Sequence, residues 1–341
     1  MHALVWEAPR TMAMHNVERP TLASDEVLIE VAYAGICGSE LSGYLGHNAL
    51  RVPPLIMGHE FSGTIIEMGS KASVANPLLS LSQAVTVNPL FCAEGSPWHA
   101  RGLAQLCPSR QLLGAHRPGA YAELVAVPAS SVFPLPQAVS LRTGALTEPV
   151  ACGVRIGELA GDMTNSIGLI IGAGPIGLLA LQAMQMGGAK QVLVADLVPE
   201  RLAMAADLGA TVLDPRSDNV VAIVQEATDG EGVPVAIDAV GTAVTRTQCI
   251  TATRAAGTVI LSGLHQEVSE MPAADIIRRE ITVRGSFAYS SANFAAAIKL
   301  LAEGAIRLDP WVTEAPLREG GAWFDRLINA PGDVSKVLLI P

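Results

Sequence analysis

The stretch Ser166–Met184, SIGLIIGAGPIGLLALQAM, decides the fold of this 341-residue chain. Its first part, IGLIIGAG, has the continuous apolar pattern of a buried strand, and PIGLLALQAMQMGG continues as a helix that glycines end. The run approaches the length of a membrane span, but the central Gly-Ala-Gly-Pro interrupts it. A strand, a glycine turn and a helix therefore explain the stretch better than a membrane segment does.

The segments on either side of this stretch differ in their predicted secondary structure. Downstream, strand and helix patterns alternate through QVLVADL, PERLAMAADLGA, VAIVQEATDG, PVAIDAVG, GTVILSGL and EITVRGSF. This alternation predicts a doubly wound parallel sheet with crossover helices. Upstream, residues 1–150 contain short strands such as EVLIEVAYAG and FSGTIIEMG between Gly and Pro turns. A helix, SANFAAAIKLLAEG, and a short strand, SKVLLIP, follow residue 287, so the fold class is α/β plus β.

Composition excludes some partners. The length suggests about two domains, and half of the residues are hydrophobic, which is enough for sizeable cores. The formal net charge of −10 argues against nucleic acid and anionic membrane as partners. The N-terminal residues do not resemble a signal peptide, and five scattered cysteines do not resemble a disulfide framework. We therefore expect a cytoplasmic protein.

The glycine turn carries a binding motif. Residues Gly172, Gly174, Pro175, Ile176 and Gly177 fit the pattern G-x-G-x-x-G between a strand and a helix, which is the context that binds a dinucleotide pyrophosphate. Asp196 ends the next strand, 19 residues after Gly177, where a carboxylate binds a ribose 2′-hydroxyl and repels a 2′-phosphate. NAD is therefore favoured over NADP. Arg201, one helical turn on, either packs against the adenine or is a surface residue.

A second group of residues suggests a metal. The stretch Gly35–Gly63, GICGSELSGYLGHNALRVPPLIMGHEFSG, contains Cys37, His59 and Glu60. Glu148 follows in LTEPVACG, where the strand-rich part of the chain meets the part with alternating strands and helices. Catalytic zinc commonly takes three such ligands and leaves one position for water or substrate. A lone cysteine or histidine is more often structural. The residue types alone therefore leave open whether these side chains bind a metal or only support the fold.

Four motifs together resemble the zinc-dependent medium-chain dehydrogenase/reductase family, closest to its sorbitol or polyol dehydrogenase branch. They are DEVLIEVAYAGICGSE, GHEFSGTI, TEPVACGV and the glycine motif GAGPIG with its downstream AD. The resemblance implies a GroES-like β-rich catalytic domain, residues 1–150 and 287–341, with an inserted Rossmann NAD-binding domain, residues 151–286. It also implies reversible oxidation of a secondary alcohol, polyol or sugar alcohol, and assembly as a homodimer or homotetramer.

The same resemblance assigns roles to residues. Cys37, His59 and Glu148 match positions that bind one catalytic zinc ion, and Glu60 matches an acid that binds the metal or lies just behind it. Ser39 matches a hydroxyl that hydrogen-bonds the substrate oxygen and starts a proton relay. The residues expected near the nicotinamide are Val240, Ser262, Gly263, Leu264, Ser286 and Phe287.

The chain departs from the family pattern at the relay and in the substrate region. The family's relay histidine lies five residues after the zinc-binding cysteine, and that position is Ser42 here. His47 is a nearby substitute, although a place in a surface loop suits it better. In RGSFAYSS, Ala288 stands where polyol relatives often have arginine, while Tyr289 is kept. This substitution puts sorbitol itself in doubt as the substrate.

The third departure concerns a structural zinc site. Many relatives bind a structural zinc with four closely spaced cysteines, and the matching segment here is CAEGSPWHARGLAQLC. Cys92 and Cys107 remain, but Gly95 and Trp98 occupy the two middle positions. Two thiolates cannot fill a tetrahedral site, and His99 is a weak candidate for a third ligand. We expect no structural zinc and a segment held by packing, with Trp98 as a candidate contact.

Two other functions compete with a zinc alcohol dehydrogenase. One is a zinc-free NAD(P)H reductase of enones or quinones, against which Cys37, His59 and Glu148 argue because such reductases lack this ligand set. The other is an NAD-binding protein that has lost catalysis. Ser39 beside an intact ligand set argues against that second alternative.

Overall fold

The computed structural model describes residues 1–93, 95–308 and 311–341. Its strands, in chain order, are β1 (His2–Ala8), β2 (Thr11–Asn16), β3 (Glu26–Gly35), β4 (Leu55–Ile56), β5 (Glu60–Met68), β6 (Ala84–Val87), β7 (Leu90–Phe91), β8 (Gln111–Leu112), β9 (Leu124–Pro128), β10 (Val132–Pro134), β11 (Ile167–Ile171), β12 (Gln191–Ala195), β13 (Thr211–Leu213), β14 (Val233–Asp238), β15 (Thr253–Leu261), β16 (Thr282–Gly285), β17 (Val312–Pro316) and β18 (Lys336–Ile340).

The helices of the same described ranges are α1 (Gly38–Tyr44), α2 (Ala72–Ala75), α3 (Pro97–Ala100), α4 (Leu141–Gly144), α5 (Thr147–Ala160), α6 (Pro175–Met186), α7 (Pro199–Asp207), α8 (Val220–Ala227), α9 (Ala243–Ala252), α10 (Ala273–Arg278), α11 (Ser291–Ala302) and α12 (Gly320–Asn329). Within these ranges, every helix is too short or too polar to cross a membrane.

The chain forms two compact units. The β-rich unit combines Met1–Glu148 with Ser290–Pro341, and the parallel-sheet unit is Pro149–Tyr289. Each unit has its own buried apolar cluster. A return of the C-terminal segment to the first unit therefore makes that unit discontinuous in sequence.

The register of the β-rich unit brings distant residues to one place. Its largest sheet has the order β10-β6-β5-β3-β18-β17, with β9 also paired to β3. In the antiparallel β3–β5 pair, Gly35 at the end of β3 lies opposite Glu60 at the start of β5. Strand β18 joins the other side of β3, with Leu338 opposite Gly35. Cys37 and His59, which lie just outside these strand ends, therefore converge with Lys336, the first residue of β18.

The parallel-sheet unit confirms the alternation expected from the sequence. Its strands have the order β13-β12-β11-β14-β15-β16, and every pair is parallel. All residues of the central strand β11 are buried, because helices cover both faces of such a sheet. The strand order reverses between β11 and β14, and ligands bind at the carboxyl ends of strands beside such a reversal.

The segment between β7 and β8 forms a small separate structure. These two strands pair with Leu90 opposite Leu112. Ser96 is the N-cap of helix α3, and its hydroxyl accepts a hydrogen bond from the Trp98 backbone N–H. The Arg101 guanidinium lies over the Trp98 ring, 5.5 Å from its centroid. We refer to residues 90–112, except Glu94, as the β7–β8 lobe.

Candidate metal centre and cofactor site

Three candidate ligands converge at the ends of β3 and β5. The ligand atoms of Cys37, His59 and Glu60 all lie within 4.8 Å of one another. His59 and Glu60 are buried, and Cys37 is half-buried at the start of α1. A thiol, an imidazole and a carboxylate are the ligand types that catalytic zinc uses, so the donor set fits this metal.

Glu40 orients the imidazole of His59. This fully buried carboxylate lies in the first turn of α1. Its Oε1 is 2.9 Å from His59 Nδ1 and accepts a 2.8 Å hydrogen bond from the Gly58 backbone N–H. Its Oε2 accepts from the Cys37 N–H, at 3.1 Å, and from the Tyr121 hydroxyl. Because Glu40 occupies Nδ1, the other ring nitrogen, Nε2, is left for a metal, as in many histidine metal sites.

The charges of this pair follow from the same contacts. Burial alone would raise the pKa of Glu40, but His59, Arg51 and Tyr121 lower this pKa to about 2. Burial alone would lower the pKa of His59, but Glu40 and Cys37 raise it well above its ordinary value. Glu40 is therefore a carboxylate at neutral pH, and metal binding to His59 has to displace a proton.

Lys336 forms a buried ion pair with Glu60. Its Nζ lies 2.9 and 2.7 Å from the two carboxylate oxygens of Glu60 and 3.0 Å from the Ile36 carbonyl oxygen. Burial would lower the pKa of Lys336, but Glu60, Cys37 and Glu148 outweigh burial and raise it. The absence of a side chain at Gly35 leaves room for this pair, since a Cβ there would collide with Glu60 Oε2.

Glu148 lies close to this ion pair but outside the group of three. It is the second residue of α5 and is buried. Its charge acts on Lys336, which therefore interacts with two carboxylates, those of Glu60 and Glu148. The structure thus places both acids that the sequence singled out beside one cation.

The hydroxyl of Ser39 lies between Cys37 and a buried arginine. Ser39 Oγ donates to Cys37 Sγ at 3.4 Å. Arg51 Nη2 donates to Ser39 Oγ at 3.3 Å, and Nη1 donates to the Ser39 carbonyl oxygen at 3.2 Å. Arg51 is only 4% exposed, whereas His47 is exposed in the loop after α1. An arginine, and not His47, is therefore the charged side chain in contact with Ser39.

The glycine loop has the shape that a pyrophosphate needs. Gly172 has φ +103°, which favours glycine, and a Cβ at Gly177 would collide with the Gly172 carbonyl oxygen. Gly174 is the extended N-cap of α6, and nothing lies within 4 Å of the position that its Cβ would take. Open space therefore faces the N-terminus of a helix, where phosphate groups bind.

Asp196 reaches from the end of β12 to this loop. Its Oδ2 accepts a 2.6 Å hydrogen bond from the Ala173 backbone N–H, and its Oδ1 accepts one of 2.8 Å from Val198. The carboxylate is therefore at the carboxyl edge of the sheet beside the glycine loop. Arg201 is half-buried in α7, without a contact that decides between its two expected roles.

The other residues expected near the nicotinamide follow the ends of neighbouring strands. The backbone N–H groups of Ser262 and Gly263, after β15, both lie 2.9 Å from the Asp238 carbonyl oxygen. The Ser286 N–H, after β16, is 2.9 Å from the Leu261 oxygen. The side chains of Leu264 and Phe287 are exposed, and that of Val240, after β14, is half-buried. These residues share the carboxyl edge of the sheet with the glycine loop, as a dinucleotide site requires.

Known proteins resemble the chain over nearly all of its length. Residues 23–137 match the alcohol dehydrogenase GroES-like domain, and residues 175–303 match the zinc-binding dehydrogenase domain. The (R,R)-butanediol dehydrogenase of Bacillus subtilis (strain 168) is 34% identical, with 100% of both chains covered. The galactitol 1-phosphate 5-dehydrogenase of Escherichia coli (strain K12) is 32% identical, with 93% of each chain covered.

Solved structures agree. A putative zinc-binding dehydrogenase from Sinorhizobium meliloti 1021, bound to NADP, superimposes with a TM-score of 0.90 at 33% identity, covering 100% of this chain and 99% of its own. These matches confirm the expected resemblance and the combination of a GroES-like β-rich part with a parallel-sheet nucleotide-binding part. The chain belongs to the zinc-dependent medium-chain dehydrogenase/reductase family, within its polyol dehydrogenase branch, and is an alcohol or polyol oxidoreductase with a nicotinamide cofactor.

Proposed function

We propose that this protein is an NAD-dependent zinc dehydrogenase that interconverts a secondary alcohol, polyol or sugar alcohol and its ketone. The observation that carries the proposal is the convergence of Cys37 and His59 with an acidic group: Glu60 lies within 4.8 Å of both, and Glu148 acts on the same lysine as Glu60. The Ser39 hydroxyl lies beside Cys37. The relatives include a butanediol dehydrogenase and a galactitol 1-phosphate 5-dehydrogenase, which supports a polyol substrate.

Different residues of the chain would bind the metal, orient its ligand, supply a hydroxyl proton and bind NAD. Cys37, His59 and one glutamate would hold a single zinc ion, which supplies Lewis acidity toward an alcohol oxygen when bound. Glu40 fixes the ring of His59 through Nδ1 and keeps Nε2 available. Ser39 presents a hydroxyl proton beside Cys37, where a substrate oxygen can accept it. The loop Gly172–Gly177 and Asp196 would bind NAD, which accepts the hydride.

Of the two candidate glutamates, we propose Glu148 as the zinc ligand. Both oxygens of Glu60 already accept hydrogen bonds from Lys336, so the charge of this carboxylate is largely neutralised by its partner. Glu148 interacts with the same cation through charge and lies outside the tight group, at the start of α5. In this arrangement, Glu60 and Lys336 form a support behind the metal.

Glutamine replacements of the two acids should separate these roles. We expect Glu148→Gln to weaken zinc binding more than about 100-fold, because losing a ligand exceeds the roughly 10–100-fold cost of losing a supporting contact. Glu60→Gln should stay within that lower range. Competition of the folded proteins with a fluorescent zinc chelator measures both affinities. A larger loss in Glu60→Gln than in Glu148→Gln would reverse the assignment.

Arg51 is proposed to position the Ser39 hydroxyl. By donating to Ser39 Oγ, it occupies the oxygen's acceptor side and directs the Ser39 proton toward Cys37. An arginine remains charged at all physiological pH values, so it orients the hydroxyl and does not carry a proton away. Ser42 stands at the family's relay position, where a histidine would pass the proton on. This is consistent with a site in which Arg51 orients the Ser39 hydroxyl and no histidine carries the proton away.

A double-mutant cycle tests this role. We expect Arg51→Lys to lower kcat roughly 10-fold or more with little change in KM, since a hydrogen bond from a charged group contributes about 1.5–3 kcal/mol. In a Ser39→Ala background, the same replacement should have almost no further effect on kcat, because its partner is gone. Zinc content, measured in parallel, should not change. Multiplicative losses in the double variant would show that Arg51 acts elsewhere.

An activity screen tests the function as a whole. The zinc-loaded protein should reduce NAD with members of a panel of polyols, sugar alcohols and secondary alcohols, and a chelator should abolish this activity. Metal-independent reduction of enones or quinones would favour the reductase alternative. NAD binding without turnover of any alcohol would favour a protein that has lost catalysis.

Assembly and location are part of the same proposal. The β-rich unit and the parallel-sheet unit would be the catalytic and NAD-binding domains, in a cytoplasmic homodimer or homotetramer of the kind the resemblance implies. A net charge of −10 argues against nucleic acid as a partner. Sedimentation of the purified protein determines the assembly state.

A further inference from the structure

Two cysteines outside the metal centre lie side by side in the β7–β8 lobe. Cys92 directly follows β7, and Cys107 ends a 3-10 turn, Ala104–Leu106, that packs against β7. Pairing of β7 with β8 closes the base of the lobe. The fold therefore brings together two thiols that are 15 residues apart in sequence and have no part in the proposed reaction.

The two thiols share their hydrogen-bond partners. Cys92 and Cys107 are close enough for each thiol to shift the pKa of the other, and the Ser96 hydroxyl acts on both; it lies 3.6 Å from Cys107 Sγ. The Ser109 hydroxyl lies 3.3 Å from Cys107 Sγ on another side. Cys107 is only 2% exposed, whereas Cys92 is half-buried and open to solvent. The Cys92 thiol is therefore accessible to solvent, whereas the Cys107 thiol is buried.

The surroundings of the two thiols shift their pKa values in opposite directions. Hydrogen bonds from Ser109, Cys92 and Ser96 lower the pKa of Cys107 to about 7, whereas burial and the contact with Cys107 raise the pKa of Cys92. The inner sulfur is thus partly thiolate near neutral pH, the form that attacks a disulfide. The outer sulfur is the one that a reagent in solution can reach.

We propose that Cys92 and Cys107 are a reversible dithiol–disulfide pair that exchanges with low-molecular-weight disulfides such as oxidised glutathione. First, the Cys92 thiol loses its proton to solvent, and the resulting thiolate attacks one sulfur of oxidised glutathione; the S–S bond of glutathione breaks, a mixed disulfide forms, and one glutathione leaves as a thiolate that takes up a proton. The Cys107 thiolate then attacks the Cys92 sulfur, breaks its bond to glutathione and releases the second glutathione, which is also protonated. The two protein thiols are oxidised, and one glutathione disulfide is reduced to two thiols.

The disulfide would fasten the lobe by a covalent bond. Gly95 and Trp98 stand where two more cysteines would be needed for a tetrahedral zinc site, so two thiolates alone cannot bind zinc in that way. A bond between Cys92 and Cys107 closes a loop of modest length and restricts the unfolded chain. The lobe would then be more stable in oxidising than in reducing conditions.

Peptide mapping of the full-length protein tests the proposal. Protein equilibrated anaerobically in buffers of increasing oxidised-to-reduced glutathione ratio is acid-quenched, alkylated, digested and analysed by mass spectrometry. We expect a peptide pair linked through Cys92 and Cys107 to appear in one transition and to vanish with dithiothreitol. Recovery of both cysteines in alkylated form at the most oxidising ratio would overturn the proposal, as would a link to another cysteine.

Three serine variants assign the steps. Cys107→Ser should accumulate glutathione on Cys92, because the second attack is lost. Cys92→Ser should leave Cys107 unmodified, because Cys107 is buried. Cys152→Ser, which changes a half-buried cysteine outside the lobe, should leave the linked peptide intact. Glutathione on Cys107 in the Cys92→Ser variant, or a linked peptide in either lobe variant, would contradict the order of steps.

Thermal unfolding gives a readout independent of mass spectrometry. The midpoint of the wild-type protein should be higher after oxidation than after reduction, and the Cys92→Ser variant should show no such difference. Since Cys92 is half-buried, this variant is the one best able to fold. Equal midpoints for oxidised and reduced wild-type protein would exclude a fastening role.

Discussion

Replacing His59 with asparagine is expected to lower kcat/KM for alcohol oxidation by at least about a thousandfold and to remove most of the bound zinc. His59 is buried, and Glu40 holds its Nδ1 so that Nε2 is the nitrogen available to a metal. A bound metal contributes several kcal/mol of transition-state stabilisation, and each 1.36 kcal/mol corresponds to a factor of ten in rate. Steady-state kinetics and metal analysis on the same preparation measure both losses.

His47→Asn is the matched control for this experiment. His47 is exposed in the loop after α1, whereas Arg51 occupies the contact with Ser39. We therefore expect His47→Asn to change kcat/KM by less than about threefold, as for surface substitutions remote from a site. A large loss in the His47 variant would make this histidine part of the proton path. Full zinc content and activity in His59→Asn would remove His59 from the metal centre.

Removing the carboxylate of Asp196 is expected to weaken the use of NAD. Asp196→Ala should lower kcat/KM for NAD roughly 10–100-fold, because hydrogen bonds to charged groups contribute about 1.5–3 kcal/mol. Activity with NADP should fall less or rise, since the 2′-phosphate no longer meets a like charge. The ratio of kcat/KM for NAD to that for NADP therefore decreases. A relative bound to NADP makes this comparison informative.

Asp196→Asn separates the charge from the loop contact. Asparagine keeps an oxygen that can accept from the Ala173 N–H, which Asp196 binds at 2.6 Å, but it carries no charge. We expect this variant to retain more NAD activity than Asp196→Ala and to show a similar shift of preference toward NADP. An unchanged preference in both variants, or a wild-type preference for NADP, would refute the role of Asp196 in choosing NAD.

The parts of the molecule that were predictable from sequence are those with local signals. The run Ser166–Met184 contains its own strand, turn and helix, and the glycines in it adopt the conformations that the motif requires. Cys37 and His59 were recognisable because each lies in a short motif beside a strand end. Such patterns need only neighbouring residues, so the sequence alone suffices to read them.

The supporting residues of the metal centre were missed for a physical reason. Lys336 reaches Glu60 only because β18 pairs with β3, and Arg51 reaches Ser39 only because the loop after α1 folds back. Neither residue lies in a motif, and these contacts depend on tertiary register. Glu40 did have a local signal, an acid three residues after Cys37 in GICGSE, but its contact with His59 depends on the β3–β5 pairing.

Zinc reconstitution tests the proposed metal centre most directly. Metal-free protein, prepared with a chelator and shown to be folded, is titrated with zinc while NAD reduction by an active alcohol is followed. Activity should be absent at the start, rise in proportion to added zinc and stop rising at one bound ion per chain. Full alcohol-dependent NAD reduction by the metal-free protein would contradict the proposed role of Cys37, His59 and Glu148 in holding a catalytic metal.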